Sequence, residues 1–220
     1  MVPPGAADFL HSPTHKDDAH VRARPRTSQR KTAKMKKVHT PRWGWAMTGS
    51  GHFFTESLDM IRTLDHVDLF VSKAAAEVVR MYKHDFELPA NVRVFKDVTA
   101  SAAPVGNFYY GVYHTLVIAP ATSNTVAKCV FGISDNLATN VFAQAGKCRV
   151  PTIVFACDTA PELETRAPKG MVKVYPRRID LENTDRLKDF EATQVVESLA
   201  ALVEAVEARR KELAALEKQA

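Results

Sequence analysis

The sequence predicts a protein of the α/β class, with an open parallel sheet that carries helices on both faces. The first observation is that short apolar runs ending in turn residues alternate along the chain with amphipathic segments. The second is that 220 residues with 45% hydrophobic content can bury one substantial core but not two. The third is that no stretch reaches the roughly 18 apolar residues of a spanning helix. We therefore expect one soluble domain without a membrane segment.

The positive charge of the chain is concentrated at its start. Residues 1–41 hold nine Lys or Arg and three Asp, a net charge of +6, whereas residues 42–220 hold 21 basic and 22 acidic side chains, a net charge of −1. The first segment is rich in Pro, His, Arg and Thr and lacks apolar periodicity, which favours a disordered tail over a folded nucleic-acid surface. A targeting sequence, a phosphate-contacting arm, or a natural start at Met35 are the alternatives. We expect the folded domain over 42–220 and no nucleic acid as partner.

Each strand and helix follows from a local pattern. Apolar runs that end at turn residues predict strands, and apolar residues at helical spacing predict helices that cover the sheet. Up to residue 111 the expected elements are strand 43–47, helix 52–64, strand 67–71, helix 74–82, strand 92–95 and a Gly- and Pro-containing loop over 101–111. Beyond it they are strand 115–119, one long helix over 124–145, strand 152–156, a mobile loop or lid over 158–170, a last strand over 171–175 and a C-terminal helix. An apolar stripe marks that last helix at Val195, Leu199, Leu202, Val203 and Val206.

The cysteines and histidines indicate neither a disulfide framework nor a metal site. Three cysteines, Cys129, Cys148 and Cys157, make an odd number without a CxxC pair, which is typical of a reducing, cytoplasmic compartment. Four histidines lie in the basic segment at spacings that fix no helix face: His11, His15, His20 and His39. We therefore expect no metal.

Three polar loops follow predicted strands and precede predicted helices. They are Thr48-Gly49-Ser50-Gly51, Ser72-Lys73 and Ala121-Thr122-Ser123-Asn124-Thr125. Small residues, hydroxyls and helix N-termini at one edge of a parallel sheet would make a phosphate cradle. The alternative is that these residues only cap helices, and for Ser72 a cap is favoured. Because neither a GxGxxG nor a GxxxxGK[ST] pattern is complete, the loops favour a mononucleotide.

Two motifs in the middle of the chain carry a family resemblance. Residues 119–128 read Ala-Pro-Ala-Thr-Ser-Asn-Thr-Val-Ala-Lys, and residues 132–137 read Gly-Ile-Ser-Asp-Asn-Leu. Together they resemble the signature of the homo-oligomeric flavin-containing cysteine decarboxylase superfamily, over about residues 42–175. The segments 174–177, Val-Tyr-Pro-Arg, and 179–182, Ile-Asp-Leu-Glu, are more similar to its archaeoflavoprotein and dihydromethanopterin reductase branch.

The resemblance implies a Rossmann-like fold, a flavoprotein three-layer sandwich, with FMN as cofactor. It places Gly49, Ser50, Gly51 and Ser72 at the phosphate, and Thr122, Ser123, Asn124 and Thr125 along the ribityl chain and ring edge. The neighbouring Thr48, His52, Lys73 and Ala121 complete the expected cofactor-binding set. The resemblance also implies a homo-oligomer built from trimers, and Asp135 and Asn136 are expected inside a helix as packing or subunit contacts.

The chain departs from the decarboxylases of that superfamily. Their essential histidine would fall about fourteen positions before Pro120, where this chain has Gly106 with Asn107 beside it. Their Pro-x-Met-Asn-x-x-Met-Trp segment is also missing. His114 lies out of register and is expected to be structural. Decarboxylation is therefore disfavoured, and the resemblance implies instead reduction of dihydromethanopterin to tetrahydromethanopterin by reduced FMN, in one-carbon metabolism, with the electron donor left open.

Candidate residues for the substrate surround the expected flavin. The predicted catalytic set is Asn124, Asp158 and Tyr110. Asp158 would hydrogen-bond the guanidine-like edge of a pterin, or only cap a loop, and Tyr109 with Tyr110 would stack on a second ring, or only fill core. Arg166 and Lys169 would meet an anionic substrate tail or the electron donor, and Cys157 is expected to be a buried, inert thiol. The alternatives are a decarboxylase or prenyl-transfer flavoprotein of the same fold and a non-catalytic flavin carrier.

Overall fold

The structure, a computed structural model, describes residues 40–82, 86–98 and 103–219. Almost all of the basic segment 1–41 lies outside the described residues, so its disorder stays a prediction. The elements in chain order are β1 (Arg42–Met47), α1 (Phe54–Arg62), β2 (Val67–Val71), α2 (Lys73–Tyr82), β3 (Val92–Lys96), a 3-10 helix (Ala103–Tyr110), β4 (Tyr113–Ala121), α3 (Ser123–Val130), α4 (Leu137–Lys147), β5 (Thr152–Ala156), β6 (Leu163–Ala167), β7 (Gly170–Val174), α5 (Arg178–Leu187), β8 (Thr193–Val196) and α6 (Leu199–Glu217).

Six strands form one parallel sheet in the order β3-β2-β1-β4-β5-β8. In its centre Trp45 of β1 lies between Leu69 of β2 and Val117 of β4. The chain builds outward from β1 to β3 and then returns past β1 to begin β4. The connections after β1 and β4 therefore leave in opposite directions, which opens a crevice at the carboxyl ends of these two strands.

Helices cover both faces of the sheet, so the expected three-layer, Rossmann-like fold class is confirmed. One apolar core joins the sheet to α1, α2 and α6, with Trp45 and Leu58 fully buried. The second core joins it to α3, α4 and α5, with Ile118 and Val141 fully buried. Every residue of β2 and β5 is buried, which explains why these strands appear as short, mainly apolar runs, although β2 also contains the buried Asp68.

The expected long helix over 124–145 is wrong, because the structure has two helices there. Gly132 adopts a left-handed conformation (φ 69°), which ends α3. Asn136 then accepts a hydrogen bond from the backbone N–H of Thr139 (3.0 Å) and caps the start of α4. Asp135 and Asn136 therefore lie in the break between the helices, not inside one.

The structure also corrects the expected order after β5. The segment expected as a lid and a last sheet strand instead forms β6 and β7, an antiparallel hairpin outside the main sheet. The apolar pattern missed α5 because Asp180, Asn183 and Thr184 are buried polar residues on it, so no apolar stripe appears. It also missed β8, which contains Val195, the residue assigned to the C-terminal helix. Among the described helices, none combines the length and apolar composition needed to cross a membrane.

Candidate functional site

Thr48 joins the two strands that border the crevice. Its N–H and hydroxyl both donate to the carbonyl oxygen of Pro120 (3.3 and 2.7 Å), and its hydroxyl oxygen accepts from the N–H of Thr122 (3.0 Å). The residue is only 2% exposed. Because these bonds use its hydroxyl as donor and acceptor, Thr48 holds the carboxyl ends of β1 and β4 together and shapes the crevice wall.

A first cavity of about 480 Å³ lies where β1, β2 and β4 end. Its lining is Thr48, Gly49, Ser72, Lys73, Ala74, Asp97, Val98, Thr122, Asn124, Thr125, Lys128, Asp135 and Asn136. Within the described part of the chain, the backbone N–H groups of Gly49, Lys73 and Ala74 have no hydrogen-bond acceptor. Two of them belong to the first turn of α2, where the helix dipole favours an anion. The first cavity is therefore suited to a phosphate group.

Both helices that point at the first cavity are capped by hydroxyls. Ser72 accepts from the N–H of Ala75 (3.0 Å), and Thr122 accepts from the N–H of Thr125 (3.3 Å). The hydroxyl of Ser72 therefore caps a helix, as one of the two interpretations of the sequence expected. The residue also lines the first cavity. Capping fixes the direction of each helix N-terminus and leaves its first N–H groups facing the cavity.

The two glycines of the first loop are needed for close packing against α2. A Cβ atom on Gly49 would lie 2.5 Å from Cβ of Ala74, and a Cβ atom on Gly51 would lie 2.5 Å from the ring of Tyr82. Any larger residue at position 49 would push away the first turn of α2. Gly49 thus lets the loop after β1 and the start of α2 share one wall of the first cavity.

An ion pair stands at the rim of the first cavity. The ammonium group of Lys128 donates to both carboxylate oxygens of Asp135 (2.9 and 2.8 Å), and this bond holds the pKa of Asp135 below its ordinary value. No cofactor role was expected for Lys128, Asp135 or Asn136. The sequence feature that could have indicated such a role is the Gly-Ile-Ser-Asp-Asn-Leu motif. It forms the break between α3 and α4 and brings Asp135 and Asn136 to the cavity.

A second cavity of about 690 Å³ adjoins the first. Its lining is Gly49, Ser50, Gly51, His52, Tyr82, Thr122, Ser123, Asn124, Cys157, Asp158, Leu163, Thr165, Arg166, Ala167, Val174, Tyr175, Pro176, Arg177 and Asp180. Gly49, Thr122 and Asn124 belong to both cavities, so the two share a wall. The β6–β7 hairpin and the segment 174–177 form the far side of the second cavity.

Hydrogen bonds fix several side chains around the second cavity. The hydroxyl of Ser123 donates to Asp158 (2.6 Å), and the hydroxyl of Tyr82 donates to the carbonyl oxygen of Arg166 (3.1 Å). Arg177 donates to both carboxylate oxygens of Asp180 (2.9 and 2.7 Å), which lowers the pKa of that carboxyl. The charge of Arg177 is thereby compensated, whereas the Arg166 guanidinium has no ion-pair partner among the described residues.

Burial also shifts the pKa values of Cys157 and His52 in the second cavity. Burial raises the pKa of the Cys157 thiol to about 12, so the thiol stays protonated and unreactive near neutral pH, as expected for a buried cysteine. Burial lowers the pKa of His52, and the nearby carboxylates of Glu56 and Asp158 oppose that shift. His52 is therefore mostly a neutral imidazole near neutral pH.

The structure divides the predicted site residues between the two cavities. Thr48, Ser72, Lys73 and Thr125 line only the first, and Ser50, Gly51, His52, Ser123 and Asp158 line only the second. Ala121 is fully buried and lines neither. Tyr110 is 80% exposed on the 3-10 helix and also lines neither cavity, so its catalytic role stays a prediction. Lys169 lines neither cavity, whereas Arg166 lines the second.

Comparison with known proteins identifies the family. The Flavoprotein family model matches residues 30–218. The chain belongs to the Flavoprotein family. This flavoprotein is 50% identical to Burkholderia xenovorans DmrB, solved in complex with FMN and described as a cubic protein cage for redox transfer. That likeness has a TM-score of 0.72 and covers 79% of this chain and 97% of DmrB.

Two further proteins are similar to this chain over part of its length. A dihydromethanopterin reductase (acceptor) of Methanosarcina mazei is 36% identical over 141 residues, which are 58% of this chain and 59% of that reductase. A phenylacrylic acid decarboxylase from Aquifex aeolicus, 22% identical over 72% of this chain and 81% of its own, shares the fold with a TM-score of 0.56. The family resemblance is thus confirmed. The predicted FMN cofactor is confirmed as well, through the family and the FMN complex of DmrB.

Proposed function

We propose that this flavoprotein is an FMN-dependent oxidoreductase that reduces a dihydropterin, with dihydromethanopterin as substrate and tetrahydromethanopterin as product. The observation that carries the proposal is the shared wall of the two cavities at Gly49, Thr122 and Asn124. A reductase of this kind needs its cofactor and its acceptor side by side, so that orientation supplies most of the protein's contribution. The name of the Methanosarcina mazei relative supports the choice of substrate.

The first cavity fits the phosphate and ribityl chain of FMN. Its phosphate would accept from the free N–H groups of Gly49, Lys73 and Ala74, with the ammonium group of Lys73 beside them. Thr122, Asn124 and Thr125 would lie along the ribityl chain and the polar edge of the ring. Bound and reduced, FMN would supply a hydride to the acceptor.

The second cavity fits a pterin with an anionic tail. Asp158, held by Ser123, would accept from the amino and N–H groups of the pterin's guanidine-like edge. Arg166, the uncompensated guanidinium in this cavity, would pair with the negative charge of the substrate tail or of the electron donor. Asn124 lies on the shared wall and is exposed to both cavities, which suits its predicted catalytic position between cofactor and substrate.

We further propose that the protein assembles into a homo-oligomer built from trimers, as the cage described for DmrB suggests. Large apolar side chains stay exposed on the described chain, among them Val98 (75%), Tyr109 (67%), Tyr110 (80%) and Phe131 (57%). Large apolar side chains that stay exposed on a single chain are candidates for burial in a subunit interface. Because Tyr110 lines neither cavity of its own chain, it would meet a bound ring only on a neighbouring copy.

The test is an anaerobic absorbance titration of the purified, FMN-loaded and chemically reduced protein with dihydromethanopterin. We expect stoichiometric return of the oxidised flavin bands and formation of the tetrahydro product. A protein that binds FMN but stays reduced would refute the pterin assignment. Release of carbon dioxide from a carboxylated substrate, or prenylation of the flavin, would favour the decarboxylase or prenyl-transfer alternative. Flavin that binds and exchanges without reacting would favour a carrier.

A further inference from the structure

His52 is a titratable side chain of the second cavity for which the proposed function has given no role. It lies in the loop between β1 and α1, and its imidazole lines the cavity together with Asp158. Its backbone N–H donates to the hydroxyl of Ser50 (3.1 Å), and its carbonyl oxygen accepts from that hydroxyl (3.2 Å). The centroid of its ring lies 3.7 Å from that of Phe53. Backbone and ring are thus both held in place.

The residue after His52 has an unfavourable backbone conformation. Phe53 has φ 59° and ψ 17°, the left-handed region, which a bulky side chain without glycine's freedom rarely adopts. Such a conformation persists where the surroundings fix it, and it recurs at functional sites. Here the ring of Phe53 packs against that of Phe155, with the two centroids 4.6 Å apart, and this contact anchors the turn in the core. The turn keeps the His52 ring at the cavity wall.

Charged groups surround the imidazole on more than one element. Glu56 of α1 and Asp158 after β5 are the carboxylates near His52, and both favour its protonated form. The cavity lining also includes Arg166 of β6 and the ion pair of Arg177 with Asp180 at the start of α5. Its other titratable side chains are Tyr82, Tyr175 and the protonated Cys157 thiol. Burial nevertheless lowers the pKa of His52. A proton on this imidazole is therefore readily given up near neutral pH.

We propose that His52 is a catalytic residue, the acid that protonates the substrate nitrogen when the C=N bond of the dihydropterin is reduced. The inference rests on the proposed function. When the substrate carbon gains a hydride and forms its new C–H bond, the C=N π pair would move to nitrogen, and that nitrogen would take the proton released as an N–H bond of the protonated His52 imidazolium breaks, which leaves a neutral imidazole. Reduced FMN, when bound, would supply the two electrons that the substrate gains, and a proton from the solvent would restore the imidazolium of His52.

The test compares His52→Gln with His66→Gln, the same change at an exposed histidine in the turn between α1 and β2. Each protein is loaded with FMN and reduced. Its single-turnover oxidation by dihydromethanopterin is then followed from about pH 5 to 9, a range that covers the titration of histidine. We expect the wild type and His66→Gln to slow as pH rises through the His52 pKa. His52→Gln should lose that inflection and react about 100-fold or more slowly, as the loss of a general acid does.

Two readouts separate a proton donor from a cofactor ligand. FMN affinity, measured by fluorescence, should be unchanged in His52→Gln, and oxidation by ferricyanide, which accepts electrons without a proton, should keep its wild-type rate. In FMN-free protein with ¹³C-labelled histidine, NMR should give His52 a pKa below its ordinary value, and Asp158→Asn should lower it further because Asp158 raises it.

Three results would overturn the inference. One is a pH inflection that survives in His52→Gln, and another is a loss of FMN affinity with an unaltered pH profile, which would make His52 a cofactor ligand. The third is an NMR-measured pKa of His52 that is the same in Asp158→Asn as in the wild type. A wild type that stays reduced with dihydromethanopterin would instead overturn the proposed function, and the role of His52 with it.

Discussion

The two adjoining cavities are built in different ways. The first is formed by backbone N–H groups and helix N-termini at the ends of the central strands, with Thr48 and Ser72 almost fully buried behind them. The second is closed by side chains from a hairpin outside the main sheet, where Arg166 and Tyr175 are exposed. Under the proposed function, the sheet would bind the phosphate-bearing cofactor, and the added hairpin would determine what binds next to it. This division predicts that substitutions outside the shared wall will affect one cavity and spare the other.

The largest expected effect is the loss of FMN affinity in Gly49→Ala. The new Cβ atom would lie 2.5 Å from Cβ of Ala74 and force the first turn of α2 away from the phosphate position. Overpacking of this kind costs about 1–3 kcal/mol, which corresponds to roughly 5- to 150-fold in the FMN dissociation constant. Fluorescence titration of the FMN-free protein measures it.

Gly146→Ala is the matched control for Gly49→Ala. Position 146 lies in α4, and a Cβ atom there would meet nothing within 4 Å. Alanine also suits a helix better than glycine, so this variant should be about 0.5–1 kcal/mol more stable and bind FMN normally. Equal FMN affinity in Gly49→Ala and the wild type would show that the first cavity is not the phosphate site.

Asp158→Asn should separate the two cavities in the opposite sense. The amide keeps the shape of the side chain but removes the charge that would accept from the pterin edge, which weakens a charge-assisted bond by about 1.5 kcal/mol, or tenfold. We expect KM for dihydromethanopterin to rise by about that factor, with FMN affinity unchanged. Asp185→Asn, at an exposed ion pair with Lys188 on α5, is the control. A fall in FMN affinity in Asp158→Asn would place the flavin against Asp158.

The pH dependence of stability should come from the amino-terminal ends of the strands, opposite the two cavities. His114, near the start of β4, packs edge-on against Trp43 with ring centroids 4.9 Å apart. Burial, with a smaller contribution from Arg209, lowers the pKa of His114 to about 4. The unfolded chain binds this proton more tightly, so the stability is fully present above about pH 6.5 and is lost as pH falls toward 4.

Partial exposure of the His114 ring reduces this contribution to about 1–2 kcal/mol. Urea unfolding at pH 7 and pH 5 measures it, and His114→Gln should remove most of the difference. His52→Gln should keep most of it, because Glu56 and Asp158 oppose the shift at His52. If His52→Gln removed the slope instead, the second cavity would be the acid-sensitive part of the fold.

The sequence predicted the first cavity better than the second for a physical reason. Strands buried on both faces, such as β2 and β5, appear as short, mainly apolar runs, and the small polar residues after them mark the loops. The second cavity depends on β6, β7 and α5, which carry no such pattern. β6 and β7 are largely exposed, and α5 buries polar residues such as Asn183 and Thr184. The helix break at Gly132 and Asn136 was readable from the capping residues, but the family motif was interpreted as one continuous helix.

The smallest expected effect is that of Tyr82→Phe, which tests whether the position of the β6–β7 hairpin affects ligand binding in the second cavity alone. Tyr82→Phe removes the hydroxyl that donates to the carbonyl oxygen of Arg166 (3.1 Å) and leaves the ring against Gly51. One neutral hydrogen bond contributes about 1 kcal/mol, so KM for the pterin should rise about fivefold. Tyr109→Phe, at a 67% exposed side chain that lines neither cavity, is the control. FMN affinity should stay at the wild-type value in both variants. If Tyr82→Phe weakened FMN binding as much as pterin binding, the hairpin would support both ligands, and the separation of the two cavities would fail.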